Sequence, residues 1–574
     1  MASSKTKPND YDVLIVGAGP CGLALGLQLA RYGVSFQIID KKPTFSLHSL
    51  AFAVQGSTLE ILSDLGVAQS LMQLGIQVKK VNTYIKGQPS FEIDFKQEVP
   101  RPFPFMLTIE QAKTERILAG ALLQQGHNVS WNAELLSFTQ SETGVTAEVK
   151  QDGKTGKVTA SWIIGCDGEN SRVREIMAVP LQGNKKTEKF VVADLALDWG
   201  MAKNEGYAFL HPSDIFTVFP LPGGLHRVVT TQDGINHEGD ITIQDLVQKF
   251  QRLCPVPGSL TAPTWISAYN TKRAIAPQMR IRRAFLAGDA AHIHSPIGGQ
   301  GLNTGIEDAY NLGWKLGLHI NGVVDEKYLD SYEAERLAVA KAFLANTNLA
   351  MNIVLTHSKI GQLVRDIIAP LILNYPAAQR QLKRIIADTP ITYHHSPIQY
   401  NEKEEGQSIA QRLKNTISGG VNIGDHAPNM NLLIPKEYKR AQLLSLLQTP
   451  KHVILVLLGE KSKEFKEHYA NFSKIKTAFA DLANSYFIVG EHAIDYTSFD
   501  SNLTDVFIDS DGLGHQLYQC FEPTLYLIRP DGYVSFKGVP NLESLKAFVE
   551  EHIHMDKLPL KSDAPKAKKI EVAV

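Results

Sequence analysis

The chain has 574 residues, a length that predicts about three or four domains, each with its own core. Apolar residues make up 44% and charged residues 20%, and the formal net charge is −1, which argues against nucleic acid or an anionic membrane surface as a partner. The four cysteines, Cys21, Cys166, Cys254 and Cys520, have no C-x-x-C or metal-ligand spacing, so we expect a cytoplasmic protein without disulfides or a structural metal.

A strand, a glycine-rich turn and a helix open the chain. The apolar run "YDVLIV" is followed by Gly17, Gly19 and Gly22 in G-x-G-x-x-G spacing, and then by "LALGLQLARYG", whose apolar residues recur at helical spacing. A second strand, "VSFQIID", ends at Asp40, where a carboxylate can accept a hydrogen bond from a ribose hydroxyl. The uncharged stretch from Val13 to Ala30 is therefore interpreted as a βαβ unit that binds an adenine dinucleotide, rather than as a signal sequence or membrane span.

Two further strands end at an acidic residue beside a glycine. "WIIGCDGENSRVRE" places Asp167 and Gly168 after one apolar strand, and "RAFLAGDAA" places Gly288 and Asp289 after another. Between them, "FVVADLALDW", "DIFTVFPLPGG" and "HRVVTTQDG" are predicted strands.

Aromatic and histidine residues of this region leave two interpretations open. Aromatic residues in strands can line a pocket but are more often core, and the four candidates are Tyr207, Phe216, Phe219 and Trp265. Imidazole titrates near neutrality, but most histidines are surface or hydrogen-bonded residues, so we assign no catalytic role to His211, His292 or His294.

A helix follows the Gly-Asp pair and begins among glycines. Gly298, Gly299 and Gly301 precede the apolar spacing of "LNTGIEDAYNLGWKL". The first N–H groups of a helix have no partners within it, and the helix dipole favours negative charge there. Glycines also let a flat ligand approach the backbone, so we expect an anionic or electron-rich ligand at this point.

The pattern changes after residue 345. "AFLANTNLAMNIVLTHSKIGQLVRDIIAPLILN" is predicted to be helical, and the polar "HHSPIQYNEKEEGQ" a connector. From "GDHAPNM" onward a separate α/β pattern begins, with strand "HVILVLLG", helix "SKEFKEHYANFSKI", strand "SYFIVG" and a hairpin that turns at Asp531 and Gly532.

The G-x-G-x-x-G turn, the Asp167-Gly168 pair and the Gly288-Asp289 pair occur in the same order as the motifs of the group A FAD-dependent aromatic hydroxylases, which the chain resembles. It resembles in particular the phenol-hydroxylase-like type of these flavoprotein monooxygenases, which carries a C-terminal thioredoxin-like domain. The resemblance covers roughly residues 10 to 345. It implies an α/β fold: a Rossmann-like FAD-binding domain interleaved with a β-sheet substrate domain, then a helical segment and a thioredoxin-like α/β domain. The expected boundaries are 1–185 (with a substrate-domain insertion near 76–107), 186–274, 275–400, 420–560 and a tail at 561–574.

The resemblance also implies a set of cofactor contacts. The G-x-G-x-x-G turn would receive the ADP diphosphate, Asp289 the ribityl chain, and the Gly298-to-Asn303 backbone the flavin ring. The Asp-Gly motif is implicated in contacts to both FAD and the pyridine nucleotide. The expected cofactor-binding residues are Gly17, Gly19, Pro20, Cys21, Gly22, Asp40, Lys41, Gln111, Asp167, Gly168, Gly288, Asp289, Pro296, Gly298, Gly299, Gly301, Leu302 and Asn303.

The implied function is an NAD(P)H- and O2-dependent hydroxylation of an aromatic or polycyclic, phenolic or polyketide-like substrate through a flavin C4a-hydroperoxide, with non-covalent FAD. No second G-x-G-x-x-G follows a strand, which fits transient docking of NAD(P)H. We expect no nucleic acid and no membrane span, and a homodimer is compatible with the sequence. The alternatives are a flavin-dependent oxidase, reductase or epoxidase without aromatic hydroxylation, or a non-catalytic flavin-binding module.

Three positions depart from the family pattern. Leu50 and Ser57 stand where the family commonly has arginine, and Phe52 stands where some phenol-oxidising members have an acid. We therefore transfer neither a flavin-gating arginine nor a phenol-deprotonating carboxylate, and the catalytic residues stay unassigned.

Overall fold

The computed structural model describes residues 9–46, 51–95, 101–211, 214–233, 240–293, 299–354, 391–399, 420–435, 437–459, 464–490 and 503–553. The chain divides into two units, Met1–Asn321 with Leu329–Thr392, and Gly322–Tyr328 with Tyr393–Val574. Pro296, Gly298, His294, Leu50, the region after Val354 predicted to be helical, most of the connector and the tail lie outside the described residues.

The described residues of the first unit form three sheets. Its strands are β1 (Tyr11–Val16), β2 (Phe36–Ile39), β3 (Ala53–Val54), β4 (Ile76–Val78), β5 (Lys80–Ile85), β6 (Gln88–Asp94), β7 (Met106–Thr108), β8 (Val129–Ser130), β9 (Ala133–Gln140), β10 (Val145–Gln151), β11 (Lys154–Gly165), β12 (Gln182–Trp199), β13 (Gly206–His211), β14 (Asp214–Leu221), β15 (Leu225–Thr231), β16 (Gly258–Ile275), β17 (Arg280–Ile281), β18 (Ala284–Leu286) and β19 (His292–Ile293).

Its helices are α1 (Pro20–Arg31), α2 (Gly56–Asp64), α3 (Ala68–Leu74), α4 (Gln111–Gln124), α5 (Arg172–Ile176), α6 (Ile243–Leu253), α7 (Gln300–Ile320) and α8 (Asp330–Val354). A short 3₁₀ turn lies at Gly288–Ala290, and another, Glu326–Leu329, falls mostly in the second unit. Helices α1 and α7 cross closely because α7 has glycine at the contact: a Cβ on Gly313 would lie 2.7 Å from Gln28, and one on Gly317 would lie 2.3 Å from Tyr32.

A Rossmann-like sheet forms the centre of this unit. Its path runs β17-β18-β11-β1-β2-β8, and β9 and β10 extend it beside β11. Strands β18, β11, β1, β2 and β8 are parallel, and the apolar residues of β1 are buried, as expected when helices cover both faces of a parallel sheet. Val16 pairs with Gly165, and Gly165 pairs with Leu286. The turns that follow β1, β11 and β18 therefore lie side by side, and the predicted βαβ unit is confirmed.

A second eight-stranded sheet runs in the order β19-β16-β12-β15-β14-β13-β5-β6 and is antiparallel except between β13 and β5. The strands predicted from "FVVADLALDW", "DIFTVFPLPGG" and "HRVVTTQDG" are the end of β12, β14 and β15. Strand β16 was not predicted, because its central residues alternate without a continuous apolar run. A small sheet, β3-β7-β4, completes the unit.

The second unit has one seven-stranded mixed sheet of order β21-β20-β24-β23-β22-β25-β26. Its strands are β20 (Asn431–Ile434), β21 (Lys439–Gln442), β22 (His452–Leu457), β23 (Ala483–Gly490), β24 (Val506–Asp509), β25 (Thr524–Ile528) and β26 (Val534–Gly538). Its helices are α9 (Leu443–Leu447), α10 (Phe465–Ala478), α11 (Leu513–Tyr518) and α12 (Leu542–Phe548), with a π-helical turn at Val549–Ile553. The strands, helix and hairpin predicted here correspond to β22, α10, β23 and β25–β26.

Within the described residues, no helix combines the length and the apolar character that crossing a bilayer requires.

Candidate functional site

The glycine turn after β1 is packed tightly against its surroundings. Gly17 has φ +107°, and a Cβ there would lie 2.3 Å from the carbonyl oxygen of Cys166. A Cβ on Gly22 would lie 2.0 Å from the carbonyl oxygen of Gly17. Gly19, the N-cap of α1, has nothing within 4 Å of the place where a Cβ would stand. Gly17 and Gly22 therefore allow the turn to close, and Gly19 leaves open space above the N-terminus of α1.

Asp40 connects β2 to this turn. Its carboxylate accepts a hydrogen bond from the Ala18 amide at 2.8 Å and from the Lys42 amide at 2.9 Å. The side chain thus reaches the turn, as the motif predicts, while its remaining lone pairs face the open space that it lines.

The carboxylate of Asp167 is engaged in hydrogen bonds within its own turn. Its carboxylate accepts hydrogen bonds from the amides of Arg172 at 2.7 Å and Val173 at 3.1 Å, and from the Ser171 hydroxyl. Burial raises the pKa of Asp167, and these hydrogen bonds oppose that rise. Both carboxylate oxygens are used to start α5, so the described contacts assign this side chain to the shape of the second turn.

The third turn is fixed by a buried acid from helix α7. Asp308 accepts hydrogen bonds from the Gly288 amide at 2.9 Å, from Nε2 of His292 at 2.6 Å and from Nε of Arg336 at 2.6 Å. Although burial opposes it, the charges of His292 and Arg336 hold the pKa of Asp308 well below its usual range. His292 is thus a hydrogen-bonded core histidine, which the sequence left as the alternative to an acid–base role.

Asp289, one residue beyond Gly288, is placed differently. No described residue donates a hydrogen bond to its carboxylate, which lines an open cavity although protein surrounds it. Burial raises its pKa, the charge of His292 lowers it, and Glu169 and Asp308 raise it further. A carboxylate presented in this way is suited to accept hydrogen bonds from the hydroxyl groups of a ligand.

The N-terminus of α7 completes the same side of the cavity. Gly299 caps the helix with φ +64°, and a Cβ on Gly301 would approach Asp289 only to 3.7 Å. The buried Asn303 accepts a hydrogen bond from the Gln55 amide at 2.9 Å and donates to the carbonyls of Ala53 at 3.0 Å and Gly299 at 2.7 Å. Its side chain therefore ties the first turn of α7 to β3.

These turns enclose a cavity of about 880 Å³. Fourteen of the eighteen predicted cofactor residues line it: Gly17, Gly19, Pro20, Cys21, Asp40, Lys41, Gln111, Asp167, Gly168, Gly288, Asp289, Gly299, Gly301 and Leu302. Gly22 and Asn303 lie behind this wall and support it, while Pro296 and Gly298 are outside the described residues. The open space at Gly19, the free carboxylate of Asp289 and the two helix N-termini fit a long ligand with a diphosphate.

The opposite wall of the cavity comes from the second sheet, and sequence analysis missed most of it. Val229, Tyr269, Asn270 and Ile293 of this sheet line the cavity there, together with Phe52, which immediately precedes β3 of the small sheet. Of the four predicted aromatic residues, Phe219 and Trp265 pack on the same face of the sheet as Phe52 and Val229, whereas Tyr207 and Phe216 belong to the cluster on the other face. The alternation of side chains along strands separates the two pairs.

A buried ion pair supports this sheet wall. Arg227 donates two hydrogen bonds of 2.7 Å to the carboxylate of Asp194, which also accepts the indole N–H of Trp265 at 2.8 Å. The guanidinium lies 5.4 Å from the ring centre of Phe52 and 5.5 Å from that of Trp265. The only signal in the sequence is a basic residue within the apolar strand "HRVVTT".

Tyr269 lines the cavity and carries a buried hydroxyl group. Its hydroxyl is buried and has no hydrogen-bond partner among the described residues, and its ring stacks on Phe190 at 6.1 Å. Burial raises the pKa of Tyr269, and the smaller effect of Arg227 lowers it. The phenol therefore stays neutral near pH 7 and can donate one hydrogen bond to a ligand.

Comparison of the sequence with known proteins identifies a family and several relatives. The family model described as "FAD binding domain" matches residues 10–347. The chain is 33% identical to 6-methylpretetramide 4-monooxygenase of Streptomyces rimosus over 66% of this chain and 71% of the relative, and 30% identical to pentachlorophenol 4-monooxygenase of Sphingobium chlorophenolicum over 61% and 66%.

Solved structures share the fold. The flavin-dependent monooxygenase PieE, in complex with FAD and substrate, aligns with a TM-score of 0.75 at 20% identity, over 95% of this chain and 99% of PieE. Aklavinone-11 hydroxylase, in a ternary complex with FAD and aklavinone, aligns with a TM-score of 0.72 at 21% identity over the same shares.

The family model spans more than half of the chain, and the turns that it covers are those that meet at the cavity. The resemblance inferred from the three motifs is confirmed: the chain belongs to the FAD-binding-domain family of flavin-dependent monooxygenases.

Proposed function

We propose that this enzyme holds FAD non-covalently in the cavity and uses NAD(P)H and O2 to hydroxylate an aromatic or polycyclic substrate. The observation that carries the proposal is the asymmetry of the cavity. One side offers backbone amides, two helix N-termini and carboxylates, and the other offers the apolar and aromatic side chains of the sheet wall. A diphosphate-bearing cofactor suits the first side and a flat apolar substrate the second.

The first side would take the nucleotide half of FAD. The open position at Gly19 leaves room for a diphosphate at the N-terminus of α1, where the dipole favours negative charge. Asp40, held by the Ala18 and Lys42 amides, would accept a hydrogen bond from the adenosine ribose. Lys41 and Gln111 line the same space and would contact the nucleotide and the ribityl chain respectively.

The flavin half would lie between Asp289 and the N-terminus of α7. Asp289 would accept hydrogen bonds from ribityl hydroxyls, since no described residue satisfies its carboxylate. The N–H groups at Gly299 and Gly301 would face the pyrimidine edge of the flavin, and a favourable dipole contributes up to about 2 kcal/mol to binding of negative charge. Those groups would favour the anionic reduced form of the flavin.

FAD, when bound, supplies the redox and oxygen chemistry of the reaction. The residues of this chain position the substrate and exclude water. Phe52, Val229 and Ile293 give the wall an apolar surface, and the Arg227–Asp194 pair holds Phe52 and Trp265 in place. Exclusion of water matters because it limits wasteful side reactions of an activated oxygen species.

The substrate class rests on the relatives and on Tyr269. The relatives' names specify 6-methylpretetramide, pentachlorophenol and anhydrotetracycline as the compounds that they act on. We propose a phenolic or polyketide-like substrate that places a hydroxyl or carbonyl oxygen against the Tyr269 hydroxyl. Phe52 provides no carboxylate, so the substrate would not be deprotonated at that position.

We propose that the enzyme is cytoplasmic. A homodimer is one arrangement to test, and we propose the domain boundaries that the sequence analysis predicts.

We also propose that the second unit is thioredoxin-like without thiol redox chemistry. Its β22-α10-β23 unit followed by the β25–β26 hairpin, in the order β26-β25-β22-β23, supports that fold. Cys520 is the only cysteine in it and is buried, whereas a dithiol site needs two sulfurs.

The test is NADH or NADPH oxidation measured against a panel of phenols and polycyclic polyketides under labelled oxygen gas. We expect one labelled oxygen atom in the product for each nicotinamide oxidised with the preferred compound. Label that enters only from water would contradict oxygen insertion, and oxidation of the nicotinamide with hydrogen peroxide as the only product throughout the panel would favour an oxidase.

A further inference from the structure

Two of the four cysteines meet at the floor of the cofactor cavity. The thiol of Cys21, in the first turn of α1, donates to the sulfur of Cys166 at an Sγ–Sγ distance of 3.6 Å. The two residues are far apart in sequence, and all four cysteines are free thiols. Both Cys21 and Cys166 line the cavity. A pair of thiols in contact at a ligand site is a chemical feature that the monooxygenase reaction does not need.

The backbone holds the pair in place. Cys166 donates its amide to the carbonyl of Val16 at 2.8 Å, and its own carbonyl lies where a Cβ on Gly17 would stand. On its other side, Cys21 packs against Gly288, whose absent Cβ would lie 3.3 Å from the Cys21 sulfur. The two turns cannot move apart without breaking these contacts. A disulfide requires the sulfurs to approach to about 2.05 Å, which is a change of about 1.5 Å.

We propose that Cys21 and Cys166 form a reversible disulfide that peroxide oxidants generate much faster in the FAD-free protein than in the FAD-bound protein. The Cys21 thiol loses its proton to solvent, and the thiolate attacks one oxygen of hydrogen peroxide. The O–O bond breaks to give a sulfenic acid and hydroxide, which takes up a proton from solvent and becomes water. The Cys166 sulfur then attacks the Cys21 sulfur and expels a second water. Two thiols are oxidised by two electrons, one peroxide is reduced to two waters, and added thiol reverses the reaction.

Bound FAD is expected to slow this oxidation because of where the two cysteines lie. This gating of the oxidation by FAD rests on the proposed FAD site. FAD seated over the glycine turn would cover both sulfurs, because they form part of the wall that it would contact. The hydrogen bond to Cys166, burial and the nearby carboxylates of Asp308 and Asp289 raise the pKa of Cys21 well above its usual value. The buried Tyr332 also lies near enough to interact with Cys21. Little thiolate is then present at neutral pH, so oxidation is expected to be slow and to accelerate as the pH rises.

The experiment treats the full-length protein, FAD-loaded and FAD-depleted, with hydrogen peroxide at pH 8.5, and follows free thiols and the intact mass. In the depleted protein we expect the loss of two thiols and of the mass of two hydrogen atoms, and a cross-linked peptide containing Cys21 and Cys166. The rate should be at least about tenfold lower with FAD bound, and dithiothreitol should restore all thiols.

Single substitutions provide the controls. Cys21→Ser and Cys166→Ser should each abolish the cross-link, whereas Cys254→Ser and Cys520→Ser, which remove buried sulfurs elsewhere, should leave its rate unchanged. The absence of a Cys21–Cys166 peptide in the depleted protein would overturn the disulfide itself. A cross-link that forms at equal rates with and without FAD would overturn the gating, and retention of FAD, measured separately by flavin fluorescence, would show whether the proposed cofactor site fails as well.

Discussion

The two walls of the cavity are built in different ways. The motif wall consists of the turns after β1, β11 and β18 and the N-terminus of α7, where backbone amides face the cavity and carboxylates hold the backbone. The sheet wall consists of Phe52, Val229 and Tyr269 and is supported by the Arg227–Asp194 pair, so side chains from different strands meet there. The comparison teaches that a backbone site is encoded in consecutive residues, whereas a side-chain site depends on strand register.

The walls also treat charge differently. On the motif wall, Asp308 is fully committed to Gly288, His292 and Arg336, while its near neighbour Asp289 has no described partner. On the sheet wall, Arg227 and Asp194 neutralise each other. The motif wall thus has a carboxyl group with no hydrogen-bond donor among the described residues, and the sheet wall is nearly neutral and contains one phenol whose hydroxyl has no described partner.

The largest effects should come from the glycines of the motif wall. A Cβ on Gly22 would overlap the Gly17 carbonyl, which cannot retreat because Gly17 already touches Cys166. We expect Gly22→Ala to lower the free energy of unfolding by more than about 4 kcal/mol and to abolish FAD retention. Chemical denaturation of the FAD-free protein measures the first effect, and the flavin absorbance of the purified protein measures the second.

Gly19→Ala is the matched control for this substitution. Its Cβ would enter open space, so stability of the FAD-free protein should change by less than about 0.5 kcal/mol. FAD should nevertheless bind at least about tenfold more weakly, which corresponds to about 1.4 kcal/mol, because the methyl group would occupy the space proposed for the diphosphate. Wild-type affinity for FAD in Gly19→Ala would contradict that placement.

On the sheet wall, the largest effect should come from separating the ion pair. Asp194→Asn leaves the buried guanidinium of Arg227 without a counter-charge, and we expect a loss of about 3 kcal/mol in stability. The double variant Asp194→Leu with Arg227→Met should regain part of that loss, because it removes both buried charges but leaves the Trp265 indole N–H without its acceptor. Urea unfolding curves would measure all three proteins.

Glu92→Gln tests whether burial of the ion pair is the reason why Asp194→Asn lowers stability. Glu92 pairs with Lys80 on the same sheet, but both side chains are substantially exposed. The substitution should change stability by less than about 1 kcal/mol. If Asp194→Asn were as mild as Glu92→Gln, the Arg227–Asp194 pair would not be the support of the sheet wall.

The same contrast explains what the sequence could predict. The glycine turn, the two acid–glycine pairs and the central parallel strands are readable because each signal lies within a few consecutive residues. Asp194 lies opposite both Arg227 on β15 and Trp265 on β16, and Phe190 lies opposite Tyr269. These rows join residues from three strands, and only the register brings them together. No local pattern identifies them.

The motif wall shows a second limit of sequence reasoning. Asp167, Asp289 and Asn303 are all polar residues of the predicted cofactor motifs, but their hydrogen bonds differ. Asp167 accepts from the first amides of α5, Asn303 ties α7 to β3, and Asp289 lines the cavity with no described hydrogen-bond donor. Which of them is left for a ligand depends on hydrogen bonds that the chain makes after it folds. The assignment of cofactor contacts to these residues therefore stays a prediction.

Asp289→Asn should separate binding from stability on the motif wall. A hydrogen bond to a charged group contributes about 1.5–3 kcal/mol, so FAD should bind roughly tenfold to a hundredfold more weakly. No described hydrogen bond is lost, so the fold should persist. Asp308→Asn, by contrast, removes the charge that Arg336 and His292 face and should destabilise the protein. Equal FAD affinity in Asp289→Asn and wild type would contradict the ribityl contact.

The pH dependence of Asp289→Asn gives an independent check. Burial raises the pKa of Asp289 in the FAD-free protein, so its stabilising contribution is present below its unfolded pKa of about 3.9 and is lost as the pH rises through the folded value. At pH 7 the FAD-free variant should therefore be at least as stable as the wild type. Near pH 4 the difference should shrink, as measured by chemical denaturation at both pH values.

The smallest effect should come from Tyr269→Phe on the sheet wall. The substitution removes a buried hydroxyl that has no partner among the described residues, so the FAD-free protein should keep its stability or gain up to about 1 kcal/mol. With substrate, one hydrogen bond of about 1 kcal/mol is lost, so KM should rise about fivefold while kcat stays close to the wild-type value. Because burial keeps this phenol neutral, the pH profile of kcat should keep its shape.

Tyr207→Phe is the matched control. The Tyr207 hydroxyl donates to the carbonyl of Ala202 at 3.2 Å, within the cluster on the other face of the sheet. Stability of this variant should therefore fall slightly, and its KM should not change. A loss of one limb of the pH profile in Tyr269→Phe would mean that this residue transfers a proton, and the sheet wall would then take part in the chemistry in addition to orienting the substrate.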